Sequence, residues 1–224
     1  MIRIFLFALL FSLFGCTTRN AIIDIYVDDY SGDIKLLMES ATNQDTILVA
    51  EGRGNMGHVK LAIKDIALPA VLFPEINHRI DTFFLLDSYD GVLVKIGRQH
   101  FEIEGSHLND TYREVRDILL EKYDRPIGRI EEDVNKLSSK NRQGMYEGKL
   151  TLYARQKERY QDYRYKYVKK MIEANPSHDL SLFLLMAELK DSVSVQRQLF
   201  DSLQIKNKKS VLYGVVQKHI MQVE

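Results

Sequence analysis

Several features that often reveal a protein's chemistry are scarce or absent in this sequence. Its 224 residues include one cysteine, four prolines and no tryptophan. A single cysteine excludes an internal disulfide, a Cys-x-x-Cys redox pair and a cysteine-rich zinc site. The formal net charge is zero, so the overall charge gives no indication of nucleic-acid binding. With 45% hydrophobic and 28% charged residues, the chain is neither fibrous nor disordered, and its length suits one domain or two small ones.

Motifs for catalysis and metal binding are also missing. The chain contains no Gly-x-Ser-x-Gly nucleophile motif, and its six histidines are scattered without the spacing of metal ligands. Acidic turns at 28–29 and 87–90 could offer oxygen ligands to Ca²⁺, but neither has the spacing of an EF-hand loop. We therefore expect turns at both places, no cofactor, no metal centre and a non-enzymatic role.

Residues 52–57 match the pattern Gly-x-Gly-x-x-Gly. In dinucleotide-binding proteins such glycines let the backbone approach a pyrophosphate at a helix N-terminus. Here the pattern precedes an alternating segment over 58–64 that is typical of a strand, and no βαβ repeat follows. The pattern is therefore interpreted as a turn between two strands, with a nucleotide loop as the alternative.

The N-terminus has the pattern of a bacterial lipoprotein signal. Arg3 precedes an apolar run of about eleven residues, which is too short to span a bilayer and matches the hydrophobic region of a signal peptide. The run ends in Leu13, Phe14 and Gly15, and Cys16 follows. This segment resembles a lipobox, in which a small residue before the cysteine admits the peptidase and the thiol receives diacylglycerol. An ordinary signal peptide that ends near a cysteine is the alternative.

A lipid anchor on Cys16 would hold the protein at a membrane and leave the mature chain without a free thiol. We therefore expect residues 1–15 to be a signal peptide and residues 16–21 a tether, with the protein in the bacterial cell envelope. No acidic tract follows Cys16, which favours the periplasmic side over the cell surface.

The rest of the chain divides into two halves of different character. Residues 17–105 contain 8 basic and 14 acidic side chains, whereas residues 106–224 contain 22 and 17. The first half has short β-branched or alternating runs at roughly ten-residue spacing, including an expected hairpin over 22–38. The sequence thus predicts an α+β protein, with an antiparallel β-sandwich or barrel-like domain over 22–106 and an all-helical domain over 107–224.

Apolar residues at helical spacing run through the second half. A first helix is expected to be interrupted at Pro126, and a helix of about thirty residues to end before Pro176, with Ser177 capping the next. Tyrosines recur every seven residues along the long helix: Tyr146, Tyr153, Tyr160 and Tyr167. This tyrosine stripe, which basic side chains flank, is either a packing face or an interaction surface. An aromatic platform for carbohydrate is a further alternative.

Over nearly its full length the chain resembles a group of lipoproteins of Bacteroidota-type bacteria. The matching segments are 22–38, 45–49 with the glycine turn after it, 68–73, 103–106 and 172–177. Those lipoproteins carry an N-terminal β domain of unknown function, then helices, then usually a thioredoxin-like domain of the TlpA/AhpC type. Redox chemistry in that domain needs a Trp-Cys-x-x-Cys-like pair. The resemblance therefore implies a non-redox relative that lacks the thioredoxin-like domain.

The leading expectation for function is a lipid-anchored envelope lipoprotein with a binding or scaffolding role. Its expected partners are the membrane, through Cys16, and an envelope protein, but not nucleic acid. One alternative is an accessory domain that docks a separate thioredoxin-like thiol-disulfide oxidoreductase. Another is an envelope sugar-binding protein or hydrolase that uses aspartate and tyrosine side chains.

Overall fold

A computed structural model describes residues 20–41, 46–80, 82–98, 100–139, 146–189 and 193–221. The strands are β1 (Asn20–Val27), β2 (Asp33–Glu39), β3 (Thr46–Arg53), β4 (His58–Lys64), β5 (Ala70–Ile76), β6 (Arg79–Ile80), β7 (Phe84–Leu86), β8 (Val92–Ile96) and β9 (Phe101–Glu104). The helices are α1 (His107–Leu119), α2 (Arg125–Ser138), α3 (Glu147–Ala174), α4 (Asp179–Ala187), α5 (Val193–Ser202) and α6 (Val211–Met221), and a π-helical turn (Leu120–Asp124) joins α1 to α2. The molecule is a mixed α+β protein, as the sequence predicts.

The strands form two sheets that pack face to face. One sheet has the order β4-β1-β8-β9, and the other has the order β3-β2-β5-β6 with β7 also beside β5. Most neighbours run antiparallel, but β1 and β8 run parallel over Ile23–Val27 and Val92–Ile96. The expectation of a purely antiparallel domain is wrong at this pair, because residues 87–91 carry the chain from one sheet to the other and bring β8 in along β1.

The expected hairpin over 22–38 does not form. β1 pairs with β4 and β8, whereas β2 pairs with β3 and β5 in the other sheet. The turn between them is real, with Asp29 at a φ of 54°, but it crosses the sandwich instead of folding the chain back on its own strand. Turn residues mark where a strand ends, and they carry no information about which strand pairs with it.

The interior of the sandwich follows from the alternation of apolar residues along each strand. Side chains at alternate positions point to the same face of a sheet. On β1, β2 and β4 the inward-facing residues are at most 8% exposed: Ala21, Ile23, Ile25, Ile34, Leu36, Met38, Val59, Leu61 and Ile63. The two sheets therefore bury one shared apolar layer between them.

The Gly-x-Gly-x-x-Gly segment is a turn between β3 and β4, and a strand follows it instead of a helix, as predicted. Two of its glycines have steric roles. A Cβ on Gly52 would lie 2.7 Å from the Leu61 side chain, and one on Gly57, whose φ is +80°, would lie 2.4 Å from the Val27 carbonyl oxygen. Gly52 thus allows close packing of the two sheets, and Gly57 allows the turn to approach the end of β1.

A helical layer covers the outer face of the second sheet. In β5 and β7, Leu72 and Phe84 face the sandwich interior, whereas Val71 and Leu85 pack into the apolar core of the helices. Burial on both faces explains why residues 70–73 and 83–86 are continuous apolar runs without alternation. The amide groups of Val211 and Leu212, at the start of α6, donate hydrogen bonds of 2.9 Å to the carbonyls of Ala67 and Pro69.

Three local features of the helices differ from or refine the sequence prediction. The chain stays helical through Pro126, because the preceding turn widens and the Arg125 amide bonds to the Leu120 carbonyl five residues back. α3 ends at Ala174, close to the predicted end before Pro176. The cap of α4 is His178, whose Nδ1 accepts from the Leu180 amide at 3.1 Å, and not Ser177.

Within the described residues, no helix has the length and hydrophobicity needed to cross a bilayer.

Candidate functional site

The predicted lipid-attachment residue Cys16 and the lipobox residues Leu13, Phe14 and Gly15 lie outside the described residues. The signal peptide and the anchor therefore stay predictions from the sequence. The described structure begins at Asn20, the first residue of β1, so Asn20 and Ala21 belong to that strand and not to a tether.

The tyrosine stripe lies along α3, and its four members Tyr146, Tyr153, Tyr160 and Tyr167 are all half-buried. The ring of Tyr167 lies 5.9 Å from the ring of Tyr123, and burial raises the pKa of the Tyr167 phenol. Tyr160 borders a groove together with residues of α2. The stripe thus contributes to packing inside the helical layer at Tyr167, and its role as an interaction surface stays a prediction.

The groove beside Tyr160 has a volume of about 560 Å³ and lies between α2 and α3. We call it the arginine groove. Its residues are Pro126, Arg129 and Ile130 from α2 and Gln156, Arg159, Tyr160 and Tyr163 from α3. On each helix these positions are three or four residues apart, which places them on one face. Two helical faces therefore meet along the groove, and each contributes one arginine.

The charged side chains that border the arginine groove are all positive. Its border contains two guanidinium groups and no carboxylate. Within the described part of the chain, neither Arg129 nor Arg159 has a carboxylate oxygen within 4.0 Å. The neighbouring Lys157, in contrast, is neutralised: its Nζ lies 2.8 Å from Glu131 Oε1, an ion pair that joins α3 to α2. The two groove arginines thus present uncompensated positive charge to solvent.

A second polar cluster, the ion-pair network, lies where the π-helical turn, α1, α3 and the end of α4 meet. Asp124 accepts hydrogen bonds from Arg116 and from Arg164, the latter at 2.8 Å from Nε. Arg164 also donates to the carboxylate of Glu188 and, at 3.0 Å, to its main-chain carbonyl. The Tyr112 hydroxyl donates to Glu188 Oε1 at 2.6 Å. Every charged group in the network is therefore paired.

The pKa shifts in the network follow from this pairing. Burial would raise the pKa of Asp124, but the hydrogen bonds from Arg116 and Arg164 outweigh it and lower that pKa below its ordinary value of 3.8. Burial and the bond to Glu188 raise the pKa of Tyr112 well above its usual range. At neutral pH the network therefore holds an ionised Asp124 and a neutral Tyr112.

The network supports the geometry of the arginine groove. Asp124 immediately precedes α2, and Arg164 follows the groove residue Tyr163 on α3. The ion pair between Asp124 and Arg164 therefore fixes the start of α2 against α3 at one end of the groove. The Lys157–Glu131 pair holds the two helices together further along.

Two further grooves, of about 280 and 640 Å³, lie on either side of Phe83, Tyr112 and Arg116. The smaller one is bordered by the apolar side chains of Phe101 and Ile103 at the edge strand β9. The larger one is bordered by the charged groups of the ion-pair network. Since the arginines there already have carboxylate partners, they are less available to a ligand than those of the arginine groove.

The scattered histidines and acidic turns form local contacts. The ring of His58 stacks on Tyr26 with centroids 4.3 Å apart, and its Nε2 lies 3.1 Å from Asp24 Oδ1. Asp87, in the turn after β7, accepts a hydrogen bond of 2.7 Å from the Leu108 amide at the start of α1. Among the described residues, no group of three or more His, Cys, Asp or Glu side chains is placed to hold a metal ion.

The sequence identified only one of the polar groove residues, Tyr160. Arg159 belongs to the basic side chains that flank the tyrosine stripe, whereas Arg129, Gln156 and Tyr163 were missed, although the spacing of Pro126, Arg129 and Ile130 on one helix and of Gln156 to Tyr163 on the other was a usable signal. Comparison of the chain with family models, with curated proteins and with solved structures finds no match.

Proposed function

We propose that the protein is a lipid-anchored cell-envelope protein with a binding or scaffolding role, held through Cys16 on the periplasmic side of a membrane. The anchor is supported by the run Leu13, Phe14, Gly15 and Cys16 after a short apolar segment, and by the position of the one cysteine of the chain. The absence of an acidic tract after Cys16 supports the periplasmic side.

The binding role is carried by the arginine groove. The partly buried charges of the ion-pair network are paired with one another, whereas Arg129 and Arg159 are left without carboxylate partners within the described residues, on two helices joined by ion pairs. Ligand sites combine a concave surface of about 300–1,000 Å³ with a few polar groups in fixed positions. A groove of about 560 Å³, bordered by two guanidinium groups that the described part of the chain does not neutralise, fits that description.

A sugar-binding protein is the second candidate. It is favoured by the two tyrosines of the groove, Tyr160 and Tyr163, the second of which is 50% exposed. Aromatic rings beside hydrogen-bonding groups suit a ligand with one apolar and one polar face.

The anchor is tested by growing cells that express the full chain with radioactive palmitate. We expect label on the wild-type protein and on a Thr17→Ala variant, and none on Cys16→Ala, because the thiol is the only site for the lipid. Unlabelled wild-type protein, or equal label on Cys16→Ala, would reject the anchor.

A further inference from the structure

We infer that the arginine groove binds a saccharide that carries an oxyanion, such as the carboxylate of a uronic acid or a sulfate or phosphate ester. The inference rests on the proposed binding role and names its ligand class. It follows from four properties of the groove: its charge, its aromatic side, its size and its bracing.

The charge selects an anion. A guanidinium group is planar, keeps its proton at any physiological pH and presents a fork of donors that matches the geometry of a carboxylate, sulfate or phosphate. Arg129 and Arg159 approach the groove from different helices, and its border contains no acidic side chain that could compete for them. An anionic group between them would receive hydrogen bonds from both sides.

The remaining residues of the groove select a sugar ring over a bare anion. Tyr160 and Tyr163 lie one helical turn apart on α3 and offer ring faces to the C–H face of a pyranose, while their hydroxyls and the Gln156 amide can bond to sugar hydroxyls. A free phosphate or sulfate ion would fill only a small part of about 560 Å³. A saccharide would cover the tyrosines as well as the arginines.

The groove is braced before a ligand arrives. Lys157 and Glu131 join the two helices on one side, and Asp124 and Arg164 join them at the π-helical turn. A site whose walls are already fixed loses less conformational entropy on binding. The glycan therefore does not have to order the helices that bind it.

An anionic membrane surface is the competing partner, and the exposed side of α3 argues against it. Glu158 and Asp162 are exposed close to the groove in sequence, and Asp162 Oδ2 lies 2.7 Å from Lys166 Nζ, so acidic and basic groups are interspersed there. Membrane-surface helices separate a basic polar face from an apolar one, whereas α3 mixes both signs of charge along its exposed side.

The test measures binding by calorimetry on the full chain purified in a non-ionic detergent. Two anionic probes are used, a trimer of galacturonic acid and a sulfated disaccharide from chondroitin, and maltotriose serves as the neutral saccharide. Variants Arg129→Gln and Arg159→Gln remove one charge each, and Tyr163→Ala removes an aromatic face. Arg53→Gln is the matched control, because Arg53 is an exposed arginine on β3, far from the groove in the sequence.

We expect at least one anionic probe to bind, maltotriose to bind at least tenfold more weakly, and each groove variant to weaken binding about tenfold, with Arg53→Gln within twofold of wild type. Thermal unfolding should be unchanged in the two arginine variants, since both side chains are exposed. Because the groove is open to water, affinity should also fall as salt is raised.

Three results would overturn the inference. They are no binding of either anionic saccharide, binding that the groove variants leave unchanged, and displacement of the probe by inorganic phosphate at equal concentration. Displacement by mixed micelles that contain anionic phospholipid, with micelles of neutral phospholipid inactive, would also overturn it and assign the groove to a membrane. The outcome is independent of the palmitate experiment, because the groove can bind its ligand with or without a lipid on Cys16.

Discussion

At the scale of single residues, Asp124 is a partly buried carboxylate of the helical layer that forms ion pairs with two arginines. Its carboxylate lies between Arg116 and Arg164, and its side chain is 24% exposed. Without it, two guanidinium groups would face each other in a site partly shielded from water, and the carboxylate of Glu188 would have to neutralise both. Removing one partner of such a cluster costs more than the cluster itself contributes.

We therefore expect Asp124→Asn to lower the free energy of unfolding at pH 7 by about 1–3 kcal/mol, less than for a fully buried pair because the cluster is partly exposed to water. The folded pKa of Asp124 is below its ordinary value of 3.8. Its stabilisation is therefore complete above that value and is lost as the pH falls through the folded pKa. Urea unfolding of both proteins between pH 7 and pH 2.5 measures the difference.

The control for this prediction is Asp133→Asn, which alters an exposed carboxylate on α2. It should change the stability by less than about 0.5 kcal/mol. The prediction fails if Asp133→Asn costs as much as Asp124→Asn, or if the effect of Asp124→Asn stays constant down to the lowest pH.

At the scale of secondary-structure elements, side chains at the N-terminus of α1 form hydrogen bonds to the backbone of the short strand β7. The Asn109 side chain accepts a hydrogen bond from the Leu85 amide at 2.9 Å and donates one to the Leu85 carbonyl at 2.5 Å. The hydroxyl of Ser106, the cap of α1, donates to the same carbonyl at 2.9 Å. Backbone groups that a further strand would have paired are thus satisfied by helix side chains.

Asn109→Ala should lower the free energy of unfolding by about 2–3 kcal/mol, because it leaves the buried amide of Leu85 without a partner. Chemical denaturation measures this loss. Glu114→Ala, at an exposed position of the same helix, is the matched variant and should stay within about 0.5 kcal/mol of wild type. Equal stability of Asn109→Ala and wild type would show that the link between α1 and β7 contributes little.

The existence and type of most elements could be predicted from the sequence, but their pairing could not. Alternation over 58–64 and the run of tyrosines over 146–167 reflect burial on one face, which is a local property. Pairing depends on which distant segment completes a sheet, so the turn at 28–32 was misread as a hairpin, and β8 was not expected beside β1. Pro126 was misread because a widened turn can accommodate it.

The candidate site was less predictable than the fold. Tyr160 belongs to a visible heptad pattern, whereas Arg129 and Arg159 look like the other basic residues of two helices that are rich in them. What distinguishes the two arginines is that they border one groove together with Tyr160 and Tyr163, and that depends on how α2 lies against α3. The partners in the ion-pair network are also distant, since Arg164 is 24 residues from Glu188 and 40 from Asp124.

At the scale of the whole molecule, three layers share two apolar cores. The first core lies between the sheets, and the second joins Val71 and Leu85 to the helices. α3 belongs to the second core only through its C-terminal part, because its buried residues are Val168 and Ile172. The N-terminal part of α3 extends with α2 beyond the core and carries the arginine groove.

This uneven burial predicts uneven protection of backbone amides. Residues 148–155 of α3, which precede the arginine groove, should exchange hydrogen for deuterium faster than residues 164–174, because opening the outer part exposes little apolar surface. The amides of α4, which has six buried residues, should exchange as slowly as the inner part of α3. Mass spectrometry of peptic fragments over a time course tests this, and uniform protection along α3 would contradict it.

The position of β1 has a mechanical consequence for an anchored molecule. Cys16 and Asn20 are four positions apart, so an extended chain between them spans at most about 14 Å. Any pull from a lipid on Cys16 would act along β1, which is bonded on one side to β4 and on the other to β8. Such a force loads both ladders in shear, so many hydrogen bonds must break together before the strand slides. A lipid on Cys16 would thus attach the protein next to a strand that resists extraction, and tension from the membrane would spread through a whole sheet.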